Sequence, residues 1–168
     1  MNLLRVIALL CVALAGCEGS KGWNTGAKLP TKYRSIAVPV FANTTYDRQI
    51  GYHLTEALQK RLQQASPYAI MGEGSADTVL RGKVTKVDIK QISQSLGTGL
   101  SEEVGYTVTM DWEWVDMRTG KAIVARNGFA SSGMVVASRP QAEPLDLARY
   151  GAVQRLADDI VANMQADW

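Results

Sequence analysis

Residues 104–114 read VGYTVTMDWEW, and this stretch decides the fold. Val104, Tyr106, Val108, Met110, Trp112 and Trp114 alternate without a break against Gly105, Thr107, Thr109, Asp111 and Glu113, and Glu103 continues the polar phase. A period of two sends successive side chains to opposite faces, so the stretch predicts a strand with one apolar and one wet face. Half-buried strands of this kind belong to antiparallel sheets covered on one side. Both tryptophans fall in the apolar phase, which favours core packing over a ligand or interface role.

The neighbouring segments extend the pattern. Downstream, Asp116-Met117-Arg118-Thr119-Gly120 reads as a turn, and residues 121–130 return as a hairpin partner. Upstream, residues 78–92 alternate with a fault in phase: Leu80, Gly82 and Val84 are even, Val87 and Ile89 odd. A β-bulge near Thr85-Lys86 would keep one apolar face throughout. Arg81, Lys83, Lys86 and Lys90 then share the opposite, solvent face. Gly97-Thr98-Gly99 marks the intervening turn. Residues 36–41 (IAVPVF) read as a buried strand whose Pro39, lacking an N–H, places it at an edge or gives it a bulge. Residues 68–71 form a brief strand before a glycine-rich loop at 72–75.

Two helices frame these strands. Ile50, Leu54, Leu58 and Leu62 recur every four residues with Ala57 and Ala65 beside them, Asn43-Thr44-Thr45 offers N-caps, and Ser66-Pro67 stops the run. After Pro144, Ala148, Ala152, Leu156, Ile160 and Met164 fall in one row, with Val153, Ala157 and Val161 in the next. The expectation is a single α+β domain over residues 35–168, two helices packed on one mostly antiparallel sheet of four to five strands.

The amino terminus has a different character. Arg5 precedes an apolar run at residues 6–14 (VIALLCVAL), which is the pattern of an export signal. The run is too short to span a bilayer, which needs about 20 apolar residues on a helix. It closes on Leu14-Ala15-Gly16-Cys17, which resembles the lipobox of bacterial lipoproteins. Residues 1–16 are therefore expected to be a cleaved signal peptide, and Cys17 to carry diacylglyceryl and N-acyl (palmitate-type) chains. Each buried acyl methylene contributes about 0.8 kcal/mol, so two or three chains would anchor the protein to a membrane. Residues 17–34 read as a lipidated tether of about 15 flexible residues, with a fully stretched reach on the order of 50 Å. Glu18, where the enteric sorting rule places Asp for inner-membrane retention, leans toward the outer membrane, with the domain on its periplasmic side.

Composition excludes several classes. The 168 residues hold 18 basic and 16 acidic side chains, and loss of Arg5 leaves a near-neutral mature chain, which argues against a nucleic-acid binder. Of two cysteines, Cys11 leaves with the signal and Cys17 is acylated, so the folded part has no thiol for a disulfide, a metal or catalysis. His53 and Glu56 share a side of the first helix as half of a metal site, but without a second histidine a solvated face is favoured. Glu103, Asp111 and Glu113 on one strand face read as solvated charges before glycosidase carboxylates. Neither a Gly-x-Ser-x-Gly elbow nor a phosphate loop is present in the sequence, so no enzyme and no cofactor beyond the lipid is expected. The row Arg81, Lys83, Lys86 and Lys90 is the best candidate contact for a polyanion such as a phosphorylated glycolipid. The competing reading is a solvated edge that lysines protect from strand addition.

The blocks IAVPVFANTT (36–45), LTEAL (54–58), ADTVLRGKV (76–84), DMRTG (116–120) and LADDIV (156–161) together resemble the lipopolysaccharide-assembly lipoprotein family LptE (RlpB-like). The resemblance spans about residues 33–168. It implies an outer-membrane lipoprotein that plugs a large β-barrel translocon, helps that barrel assemble and binds lipopolysaccharide on its way to the surface. Basic side chains make the lipopolysaccharide contacts in the family, which gives the basic row its place as a candidate. A lipoprotein activator of penicillin-binding proteins is the alternative, but such a protein is expected to carry a long tether. An envelope hydrolase is a third class, for which no nucleophile or metal constellation is found.

Overall fold

The computed structural model describes residues 29–94, 101–136 and 144–166. The signal segment, Cys17, residues 18–28 of the expected tether and the turn at Gly97-Thr98-Gly99 lie outside the described residues. In chain order the elements are β1 (Ser35–Ala37), β2 (Ala42–Asn43), α1 (Ile50–Ala65), β3 (Ala69–Ile70), β4 (Thr78–Gln94), β5 (Ser101–Asp116), β6 (Ala122–Val136) and α2 (Pro144–Ala166).

The alternating segments form the long antiparallel strands β4, β5 and β6, and the sheet runs β3-β1-β4-β5-β6. At about 3.3 Å per residue, β4 is on the order of 55 Å long. Its register against β5 shifts between Val84 and Lys86, where the bulge was expected, so Leu80, Val84 and Val87 stand with Trp114, Met110 and Val108 on one face. β1 and β2 lie along the outer edge of β4, both parallel to it, with Pro39 in the interruption between them. β3 adds a further parallel pair outside β1. The sheet is thus mixed: the long strands are antiparallel, and the three short ones are parallel.

Both helices cover one face. Ile50, Leu54, Leu58 and Leu62 from α1, and Ala148, Ala152, Leu156, Ile160 and Met164 from α2, join Leu80, Val84, Tyr106, Val108, Met110, Trp112 and Trp114 in one core. The helices run parallel: Arg149 near the start of α2 meets Asp47 before α1 at 3.5 Å, and farther along Arg61 pairs with Asp158 at 2.7 Å. α2 lies directly on β6, because Gly133 has no side chain to hold it off. A Cβ there would be driven into the Ala148 carbonyl and the Ala152 amide. Gly82 plays the same part for Phe41, whose ring Cε1 lies 2.8 Å from where a Cβ would stand.

Two expectations need correction. Asn43-Thr44-Thr45 does not cap α1, whose N-cap is Gln49 without a side-chain cap bond. Instead the Asn43 carboxamide oxygen accepts from the N–H and hydroxyl of Thr45, and Thr44 bonds to the Val84 carbonyl, which ends β2. The folded unit also begins before Ser35. Leu29 and Tyr33 are buried in the core, the Tyr68 hydroxyl donates to the Pro30 carbonyl at 2.7 Å, and the Tyr33 hydroxyl donates to Asp116 at 3.0 Å.

Candidate functional site

The face of the sheet away from the helices holds the basic row. Arg81, Lys83, Lys86 and Lys90 oppose Glu113, Asp111, Thr109 and Gly105 of β5 in register, so all four stand on this open face. The row is not a bare stripe of charge. Arg81 Nε donates to Glu113 at 2.7 Å, and Lys86 pairs with Asp88 at 2.6 Å. Asp111, across from Lys83, accepts the Gly128 N–H at 2.8 Å. Lys83 and Lys90 make no ion pair among the described residues. Around Arg81, Lys83, Asp111 and Glu113, with Ala125 and Asn127 of β6, the open face is hollowed into a shallow depression of about 390 Å³. It presents alternating charges, which suits a polar partner surface or a headgroup carrying hydroxyls and phosphates better than an apolar chain.

A second concavity, of about 600 Å³, lies between the outer sides of the helices. It is lined from α1 by His53, Glu56, Lys60, Arg61 and Gln64 and from α2 by Arg149, Tyr150, Gln154 and Asp158. Its charges are locally paired, Lys60 with Glu56 at 2.8 Å and Arg61 with Asp158. The Lys60 hydrogen bond holds the Glu56 carboxyl below its usual range. No cluster of three or more His, Cys, Asp or Glu side chains that could hold a metal ion occurs among the described residues.

One polar network was not legible in the sequence. Tyr106, assigned to the apolar face, is buried, and its hydroxyl donates to Asp47 at 2.6 Å, where Arg149 also reaches. Burial, reinforced by the Asp47 hydrogen bond, pushes the phenol well above its ordinary range. The network ties the loop before α1, strand β5 and the start of α2 at one point. Its members lie far apart in sequence, and only the alternation flagged Tyr106.

At the far end of the long strands several large apolar side chains stay uncovered: Ile89 at 55 % exposure, Ile92 at 50 %, Met134 at 66 %, and Leu147 and Tyr150 early in α2. Ile89 continues the apolar phase of β4, as expected, yet is not buried. Among the described residues, no helix described contains a span long and apolar enough to cross a membrane.

Solved structures share this architecture. A protein of Xanthomonas campestris aligns with a TM-score of 0.59 at 10% identity over 84% of this chain and 91% of that one. Uncharacterized lipoprotein B of Nitrosomonas europaea aligns at 0.55, 8% identity, 83% and 86%. The PelC dodecamer of Paraburkholderia phytofirmans aligns at 0.52, 18% identity, 84% and 96%. At such identities these likenesses establish the fold alone: a two-helix, single-sheet α+β domain. Among curated sequences nothing matches. The profile of the lipopolysaccharide-assembly family LptE matches residues 33–164, most of the chain, and the protein belongs to that family. Membership gives it a role in lipopolysaccharide assembly, a non-catalytic one.

Proposed function

We propose that the protein is an outer-membrane lipoprotein, acylated on Cys17 after removal of residues 1–16, that forms a complex with the β-barrel lipopolysaccharide translocon and binds lipopolysaccharide for delivery to the outer leaflet. The family match over residues 33–164 carries this reading, and the Leu14-Ala15-Gly16-Cys17 motif supports the anchor. With the folded domain beginning by Leu29, the tether shortens to the stretch from Cys17 to 28, whose full extension is about 40 Å, so the domain works close to the membrane.

Within this reading Arg81, Lys83, Lys86 and Lys90 are the candidate lipopolysaccharide contacts. Lys83 and Lys90 are the more available pair, since Arg81 and Lys86 already hold carboxylates. Affinity purification of the tagged, membrane-anchored protein tests the partner: an outer-membrane barrel should co-purify, and recovery of a peptidoglycan synthase without a barrel would transfer the assignment to the synthase-activator alternative. Replacement of all four basic residues by Gln should weaken lipopolysaccharide binding, and unchanged binding would remove the row from the site.

A further inference from the structure

We propose that the concavity between the two helices is a carbohydrate site that takes a short run of neutral, hydroxyl-rich sugars. α1 and α2 run parallel, so residues four apart on each form facing rows: His53, Ala57 and Arg61 on α1, and Tyr150, Gln154 and Asp158 on α2. Arg61 reaches across to Asp158 at 2.7 Å and bridges the two rows. Ala57 and Val153, both buried, give the hollow an apolar floor. At about 600 Å³ it falls within the usual span of small-ligand sites, roughly 300–1,000 Å³.

The lining selects the ligand by its chemistry. Lys60, Arg61 and Arg149 are matched by Glu56, Asp146 and Asp158, each cation within 2.8 Å of a carboxylate oxygen, so these six carry no net formal charge. A charged ligand of either sign would therefore meet a like charge beside every opposite one, and a wholly apolar ligand would take water from these ions without replacing it. The remaining polar groups are neutral: the Gln64 and Gln154 carboxamides and the Tyr150 hydroxyl line the hollow and make no side-chain hydrogen bond among the described residues. A carboxamide both donates and accepts, as a sugar hydroxyl does. The Tyr150 ring, 66 % exposed, offers a face on which the C–H side of a pyranose can lie. A ring with hydroxyls at its rim and one C–H face satisfies both kinds of group. The hollow lies on the opposite side of the sheet from the basic row, and its assignment does not depend on the barrel complex or the lipid anchor.

Saturation-transfer NMR on the full chain, held in a detergent without a sugar headgroup, tests the site. Two lipid-free probes separate the possible sources: dephosphorylated core oligosaccharide released from lipopolysaccharide, and peptide-free glycan strands from peptidoglycan. Binding of either supports the proposal, and the one bound tells whether the hollow serves a glycolipid or the wall. Tyr150→Ala should weaken binding by about tenfold, whereas Tyr150→Phe, which keeps the ring, should stay within about threefold of the wild type. Circular dichroism checks that each variant keeps its fold. No transfer to either probe at millimolar concentration, or binding indifferent to Tyr150→Ala, overturns the proposal.

Discussion

The two ends of the long strands share one sheet and differ in nearly everything else. At the end holding the Asp116–Gly120 turn, Trp114 is fully buried, Tyr33 packs edge-on against it at 6.0 Å, Tyr68 lies 6.3 Å away, and β1 and β3 widen the sheet. Burial there pushes the Tyr68 phenol up to about 12. At the other end three strands project beyond the reach of α1, the outer edges of β4 and β6 have no strand partner among the described residues, and Ile89, Ile92 and Met134 face outward. The first end is what a core needs. The second carries apolar surface and unpaired backbone that contribute nothing to the isolated fold, the usual mark of a surface kept for contacts.

Substitutions can break this contrast. Trp114→Ala should have the largest effect, about 3–5 kcal/mol, because a fully buried indole and two aromatic contacts are lost at once; chemical denaturation measures it, and a loss below 1 kcal/mol would deny that this end holds the fold. Gly133→Ala should cost about 2–3 kcal/mol, since its methyl must displace α2 along β6. That tests a place where the projecting half is tightly packed.

Acid should act next, and at the first end. Burial alone would raise the Asp116 carboxyl, but donors from Thr119, Tyr33 and Arg118 with the Lys32 charge outweigh it and leave it lowered. The backbone N–H of Arg34 and the Ser35 hydroxyl lower Asp77. A carboxylate with a depressed folded value contributes stability above its unfolded value, about 3.9, and loses it as pH falls through the folded one. Melting temperatures should therefore drop below about pH 4, and less steeply in Asp116→Asn. Smallest of all, Ile89→Ala should change stability by at most about 0.5 kcal/mol. Leu80→Ala, on the same strand and face but fully buried, should cost about 2–4 kcal/mol. Equal losses would erase the distinction between the ends.

The sequence made some of this legible and hid the rest for physical reasons. Alternation over 104–114 and the phase fault near Thr85 wrote β4 and β5, because side-chain period and face are locally fixed. The parallel pairings of β1, β2 and β3 were not written. Each is two or three residues long and is decided by a partner some 34 to 42 positions away. Ile89 looked like core because phase reports the face and not what covers it; α1 starts only at Ile50 and leaves that position bare. The basic row could be read as a row, whereas its pairing to Glu113 depended on a hairpin register that no local residue announces.

Depletion of the protein in its host, followed by labelling of newly made lipopolysaccharide, tests the proposed role in moving lipopolysaccharide to the cell surface. The label should stop reaching the surface and accumulate behind the outer membrane. Surface label at the normal rate, with peptidoglycan cross-linking reduced instead, would contradict it.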